Sequence, residues 1–210
     1  MSADGAPYAA LTPEAILDAV DACGDRADGR MLALSSYENR VYQVWLENGT
    51  IVVVKFYRPG RWSDDAILEE HAYALELTER ELPVVAPLVI GGTSLHQHAG
   101  FRYALYPKRP GRSPELSDPD TLLQLGRFIG RIHAVGALRS YRHRHALDIE
   151  TYGRAPFAYV MAGDFVPPEL RDTYRSVVED VLMRIERCYA RAGNVAAIRV
   201  HGDCHAGNIL

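Results

Sequence analysis

Cysteine is scarce in this chain: three residues in 210, at positions 23, 188 and 204. The number is odd and no Cys-x-x-Cys spacing occurs. Neither a disulfide framework nor a zinc knuckle is encoded, and a reducing, cytoplasmic setting is expected. No apolar run reaches the roughly 20 residues that a membrane-spanning helix requires. The opening Met-Ser-Ala-Asp-Gly stretch carries acid and no basic segment ahead of an apolar one, so no secretory signal is expected. Positive charge is in deficit as well, with 23 Lys and Arg against 27 Asp and Glu, a formal charge of −4. That balance predicts no general affinity for nucleic acid or for a membrane surface. Lysine itself is almost missing. Only Lys55 and Lys108 are lysine, and the other 21 basic residues are arginine.

What remains is an ordinary globular composition, 48% hydrophobic and 24% charged, without repeats or low-complexity tracts. A chain of this length should bury roughly 70% of its unfolded surface and needs no staples. Helix signals are local and clear. Thr12 caps and Pro13 opens a first helix that should stop at Gly24. Strands are expected at Met31–Leu34 and Val41–Leu46. An Asn48-Gly49 turn then leads into Ile51–Tyr57, a β-branched apolar strand interrupted only by Lys55 and expected to be well covered. A helix should run from a cap at Ser63 through Arg80, with short strands near Leu88–Gly91 and Phe101–Tyr106. The proline-rich, polar stretch 107–114 reads as a connector. Beyond it the pattern turns helical: Asp118-Pro119 opens a helix with a Leu122, Leu125, Ile129, Ile132 stripe, and Pro168 opens another ending near Gly193. A short strand at Ala197–Val200 and a strand beginning at Ile209-Leu210 should flank a polar loop. A β-rich lobe thus precedes an α-rich one.

That loop, His201-Gly202-Asp203-Cys204-His205-Ala206-Gly207-Asn208, carries the strongest chemical signal. An aspartate and an asparagine five residues apart can face one point. The aspartate suits proton acceptance from an attacking hydroxyl, and the asparagine oxygen suits a magnesium ion bridging phosphates. The competing readings are a plain polar turn, or a metal site built from His201, Cys204 and His205. Zinc would want a fourth ligand, which nothing nearby supplies. Lys55 in its apolar strand then reads as the ammonium that grips the α- and β-phosphates. Such a lysine needs a carboxylate from the neighbouring helix. Glu69 and Glu70 are both candidates, but Glu70 shares the inward helical face with Ile67, Ala74 and Leu77, which selects it.

These strings, together with Ser36-Tyr37-Glu38-Asn39-Arg40-Val41-Tyr42-Gln43, Val53-Val54-Lys55-Phe56-Tyr57-Arg58-Pro59 and Ile67-Leu68-Glu69-Glu70-His71, resemble the aminoglycoside-phosphotransferase-like branch of the protein-kinase-like fold. Within it the likeness is to the bacterial stress response kinase A family and covers residues 36–210. The resemblance implies an α+β, bilobal protein-kinase-like fold. Residues 1–106 would form an N-terminal lobe of antiparallel sheet plus helix, with the hinge at its end. Residues 107–210 would form the first part of a mainly helical C-terminal lobe. It also implies a monomeric, cytoplasmic serine/threonine protein kinase that uses Mg2+ and ATP. Asp203 would be catalytic base, Asn208 a metal ligand, Lys55 and Glu70 the phosphate grip, Glu38 a residue over the nucleotide, and Tyr103–Tyr106 the hinge for adenine. The turn Ser35–Arg40 departs from the protein-kinase pattern in having no glycine, so Ser36, Asn39 or Arg40 would have to hold phosphate instead. His205 stands where many kinases carry a basic residue; packing is its plainer role, as it is for Cys204. Arg58, Arg61, Arg109 and Arg112 read as surface charge or as a basic rim, and 142–145 is given no role.

The scheme wants a second acidic magnesium ligand soon after the loop, and the chain reaches Leu210 without one. It is therefore expected to be a fragment that transfers phosphate poorly by itself. Two alternatives stand beside the protein kinase: a kinase for a small-molecule acceptor such as an aminoglycoside, choline or homoserine, and a non-catalytic nucleotide-binding module.

Overall fold

The computed structural model describes residues 7–209. The expected strand at Ile209-Leu210 is half within it: Ile209 is extended, with φ −123° and ψ 130°, and Leu210 lies outside the described residues. The chain folds as two compact units, one made of the residues up to His143 together with those from Arg199 onward, the other of Arg144–Ile198.

In the first unit α1 (Pro13–Asp21) starts where Thr12 accepts a hydrogen bond from the Ala15 amide at 3.3 Å. Five antiparallel strands follow: β1 (Ala27–Leu34), β2 (Arg40–Leu46), β3 (Ile51–Phe56), β4 (His96–His98) and β5 (Phe101–Pro107). They form a single sheet in the order β1-β2-β3-β5-β4. The expected α+β architecture is present. Ile16, Ala19 and Val20 of α1 pack on one face of this sheet, against Val44, Val52, Val54, Phe56, Tyr103 and Leu105, all 5% exposed or less. Each such side chain contributes about 1.5–3 kcal/mol through burial.

β3 differs from the expectation of a strand covered on both faces. Val52, Val54 and Phe56 are buried, while Ile51, Val53 and Lys55 alternate with them as half-buried residues. Side chains along a strand alternate in direction, and α1 covers one face only. The register, Val41 opposite Lys55, Lys55 opposite Ala104 and Val53 opposite Tyr106, gathers these five residues on the other face. There α2 (Asp64–Glu79), capped by Ser63, lays Ile67 and His71 across the sheet.

Two expected strands are absent. Leu88–Gly91 holds to the sheet only through the Leu88 amide on Leu105 O (2.7 Å) and an isolated Ile90–Thr93 bridge. On the edge of β5 away from β3 the ladder partner is instead the polar segment His96–His98, which carries no β-branched signature. Ala197–Val200 pairs with no strand among the described residues. It docks on the last turn of α3 (Pro119–Gly136), where the Arg199 amide donates to Gly136 O.

The second unit holds a π-helical turn, Glu150–Arg154, running into α4 (Ala155–Ala162), then a 3₁₀ turn at Pro168–Leu170 and α5 (Arg171–Ala192). Of α5, only Leu182 is buried; Val177, Val181 and Ile185 remain exposed.

Candidate active site

Lys55 projects from the centre of the sheet toward α2, and Glu70 answers it: Nζ to Oε1 is 3.4 Å. Glu69, the other candidate, faces away. Its carboxylate oxygens accept the amides of Arg142 and His143, each at 2.7 Å. The helical face decided between them, because consecutive residues point about 100° apart. The Lys55–Glu70 pair borders a cavity of about 410 Å³ that Val41, Val53, Ala74, Tyr106, Lys108 and Arg109 help to line. A largely apolar slot lined by Lys55, Lys108 and Arg109 with the single carboxylate of Glu70 suits a flat heterocycle joined to an anionic tail.

Beneath the pair lies a polar network that sequence reading missed. His71 is 1% exposed. Its Nε2 meets the Tyr57 hydroxyl at 2.6 Å and the Tyr106 hydroxyl at 3.4 Å, and its Nδ1 meets Ser94 Oγ at 2.9 Å. Burial drives its pKa from 6.5 down to about 4; the Glu70 charge opposes that shift, and Lys55 and His96 add to it. The ring is therefore neutral near pH 7 and carries one N–H, so a hydroxyl accepts at one ring nitrogen and a hydroxyl donates at the other. Lys55 Nζ stands 4.8 Å from the Tyr57 ring centre, so the network also supports the lysine from below. The signal was available in the sequence: His71 follows Ile67 by four residues on the inward face.

Of the expected hinge, Tyr103–Tyr106, the two tyrosine side chains lie in different surroundings. Tyr103 is 1% exposed and its hydroxyl donates to Ala19 O at 2.6 Å, inside the α1 core. Tyr106 faces the cavity. Burial raises its hydroxyl pKa, with Lys55 and the Tyr57 hydrogen bond lowering it in part. The cavity wall then continues through Pro107, Lys108 and Arg109, past the predicted end.

Glu38 is engaged elsewhere. Its carboxylate takes Arg61 Nε at 3.0 Å, and it is not among the cavity-lining residues. The side chains nominated to replace glycine also hold the turn itself: Ser36 Oγ donates to Asn39 O (3.0 Å), Asn39 Oδ1 accepts the Arg58 amide (3.3 Å), and the Arg40 guanidinium covers the Tyr8 ring at 4.7 Å.

In the His201–Asn208 loop, Asn208 Nδ2 donates to Asp203 O (2.8 Å) and to Asp203 Oδ2 (3.0 Å). Gly202 has φ +80°, a left-handed conformation in which glycine has no Cβ to strain. Residues Ala206–Asn208 form a 3₁₀ turn rather than a plain loop, and His205 caps it by accepting the Gly207 amide at 3.1 Å. His205 Nε2 stays 3.8 Å from Asp203 Oδ1. Among the described residues His201, Cys204 and His205 are not gathered into a group of three or more that could hold a metal. The donors that the turn does offer are the Asn208 amide oxygen and the Asp203 carboxylate. These are hard ligands that fit magnesium when phosphate and water complete the shell.

Comparison with known proteins bears on this arrangement. The family described as "Phosphotransferase enzyme family" matches residues 31–210. Stress response kinase A of Salmonella choleraesuis (strain SC-B67) is 39% identical over 203 residues, covering 97% of this chain. The same figures hold for the serine/threonine protein kinase RdoA of Salmonella typhimurium, and stress response kinase A of Escherichia coli K12 is 37% identical. The chain spans 61% of the length of these relatives. Among solved structures, the amicoumacin kinase hAmiN, in complex with AMP-PNP, Ca2+ and Ami, superposes with a TM-score of 0.63 at 22% identity, covering 86% of this chain and 55% of that one. A putative fructosamine-3-kinase from Thermobifida fusca gives 0.53 at 18% identity, covering 91% and 67%.

Proposed function

The chain belongs to the phosphotransferase enzyme family, and on that premise we propose that it forms the nucleotide site and catalytic loop of a cytoplasmic, magnesium-dependent protein serine/threonine kinase. The observation that carries this reading is the Lys55–Glu70 pair at 3.4 Å on the rim of an apolar cavity. Adenine would lie between Val41 and Val53 against the Tyr106–Arg109 wall, and Lys55, fixed by Glu70, would bind the α- and β-phosphates. Asp203 accepts the proton of the attacking hydroxyl as its oxygen bonds to the γ-phosphorus; the bond from that phosphorus to the β-bridging oxygen breaks, and ADP leaves. Asn208 holds the Asp203 carboxylate in place through Nδ2, and its Oδ1 would serve as the metal ligand. A magnesium ion bound there would neutralise charge on the phosphates. Glu38, which holds Arg61 Nε at 3.0 Å, would reach the nucleotide only by giving up that pair. In this reading residues 1–106 are the N-terminal lobe and 107–210 the start of the helical lobe. A protein acceptor is favoured by the 39% identity to a protein named a serine/threonine kinase.

The test is phosphate transfer from labelled ATP by the full-length gene product to a protein acceptor and to aminoglycoside, choline and homoserine. Asp203→Asn should lower turnover by about 100- to 10,000-fold while leaving ATP affinity intact. Transfer confined to a small molecule would replace the acceptor assignment. Undiminished turnover in Asp203→Asn would remove the mechanism.

A further inference from the structure

α2 reaches further than Lys55. Three residues beyond Glu70, the Tyr73 hydroxyl donates to Ile132 O (2.7 Å) and to Arg199 O (3.3 Å). Three residues further still, Glu76 Oε2 accepts Arg199 Nη1 at 2.8 Å. Arg199 is 6% exposed, on a chain whose arginines otherwise face solvent or the surface rim. Its Nη2 donates to Val135 O at 3.1 Å, and its guanidinium lies 4.3 Å from the Tyr73 ring centre and 6.0 Å from that of Tyr141. Its Nε is buried without a partner among the described residues. Burial pushes the Glu76 carboxyl pKa up, but the Arg199 hydrogen bond and the charges of Arg199, Arg139 and Arg80 outweigh it and hold the group below its ordinary value. The backbone is clamped too. A Cβ on Gly136 would stand 2.0 Å from Arg199 O, so only glycine lets the strand-like segment lie on the last turn of α3.

A buried ion pair contributes little net stability, since desolvating both ions offsets most of their attraction. What it provides is a fixed position. Arg199 stands four residues ahead of Asp203, and the helix it is tied to also carries Glu70. We propose that Arg199 is a positioning residue for the Asp203–Asn208 turn, and that the Glu76–Arg199 pair makes α2 the common mount for that turn and for the Lys55–Glu70 grip. The inference rests on the phosphotransfer reading above.

Titration calorimetry of this chain with ATP, with and without magnesium, tests it. In the wild type, magnesium should strengthen ATP binding. Arg199→Met and Glu76→Gln should leave metal-free ATP affinity within about twofold and reduce the gain from magnesium by about tenfold, the usual cost of removing a group that orients a metal ligand. Arg199→Lys, which keeps a cation on Glu76, should recover most of that gain, a recovery that a packing role would not give. In the full-length gene product the same variants should lower kcat with KM for ATP little changed. Circular dichroism confirms folding; should Arg199→Met fail to fold, the isosteric Glu76→Gln decides. A wild type that binds ATP with a magnesium gain untouched in Glu76→Gln, or a gain that Arg199→Lys does not recover, overturns the positioning role alone. A full-length gene product that binds no ATP overturns the phosphotransfer reading, and this inference falls with it; should only that product bind, the same comparison is read on it.

Discussion

His71 makes the stability of the first unit depend on pH in a direction the structure dictates. The imidazole is buried and neutral, with a folded-state pKa of about 4 against an ordinary 6.5. Between those values the unfolded chain binds a proton that the folded chain refuses, so stability rises with pH there. The contribution is fully present above 6.5 and is lost as pH falls through about 4. Each pKa unit is about 1.4 kcal/mol, so the whole window amounts to about 3 kcal/mol, of which about 2 kcal/mol goes between pH 7 and pH 5. Urea unfolding followed by tryptophan fluorescence measures it, because both tryptophans, Trp45 and Trp62, lie in this unit. His71→Asn should be less stable than the wild type at pH 7, having lost buried hydrogen bonds to Ser94 and Tyr57, by about 1–3 kcal/mol. Yet on going to pH 5 it should lose about 2 kcal/mol less than the wild type. His96, which burial also holds below its ordinary pKa, remains in both proteins and cancels in the difference. Equal losses in wild type and variant would refute the buried neutral ring.

Other outcomes follow from the same geometry. Helix propensity favours Gly136→Ala by up to about 1 kcal/mol, but the Arg199 carbonyl lies in the way, so the variant should lose about 3 kcal/mol in denaturant titration. Gly126→Ala and Gly130→Ala, open positions in the same helix, should be neutral or stabilising; a stabilised Gly136→Ala would contradict the clamp. Glu70→Gln should weaken ATP binding, measured calorimetrically, by about tenfold, whereas Glu69→Gln should leave it unchanged and cost about 1–2 kcal/mol of stability through the Arg142 and His143 amides. The reverse pattern would reassign the lysine's partner. Phe56→Ala should cost about 3–5 kcal/mol in the same unfolding assay, since Phe56 is fully buried between Tyr42, Phe101 and Tyr103; a loss under 1 kcal/mol would place the core elsewhere.

Local chemistry made part of this structure legible in the sequence. Thr12, Ser63 and Asp118 announce their helices because a cap is a short-range hydrogen bond. The Asp203–Asn208 contact spans five residues and was readable from spacing. Tertiary choices were not. β4 forms from His-Gln-His because β5 offers an edge there, and the more apolar Leu88–Gly91 is turned aside by Gly91 and Gly92, both with positive φ. Glu76 and Arg199 are separated by 123 positions, and no periodicity links them. His71 sits between: its helical face was readable, its partners Tyr57 and Ser94 were not.

The central claim is that Lys55 and the cavity beside it hold a nucleotide. Calorimetric titration of this chain with ATP and magnesium, beside Lys55→Ala of equal thermal stability, addresses it directly. The account predicts saturable binding by the wild type and a loss of about 10- to 100-fold in the variant, the worth of a charged hydrogen bond to phosphate. Equal affinity in both proteins would contradict it.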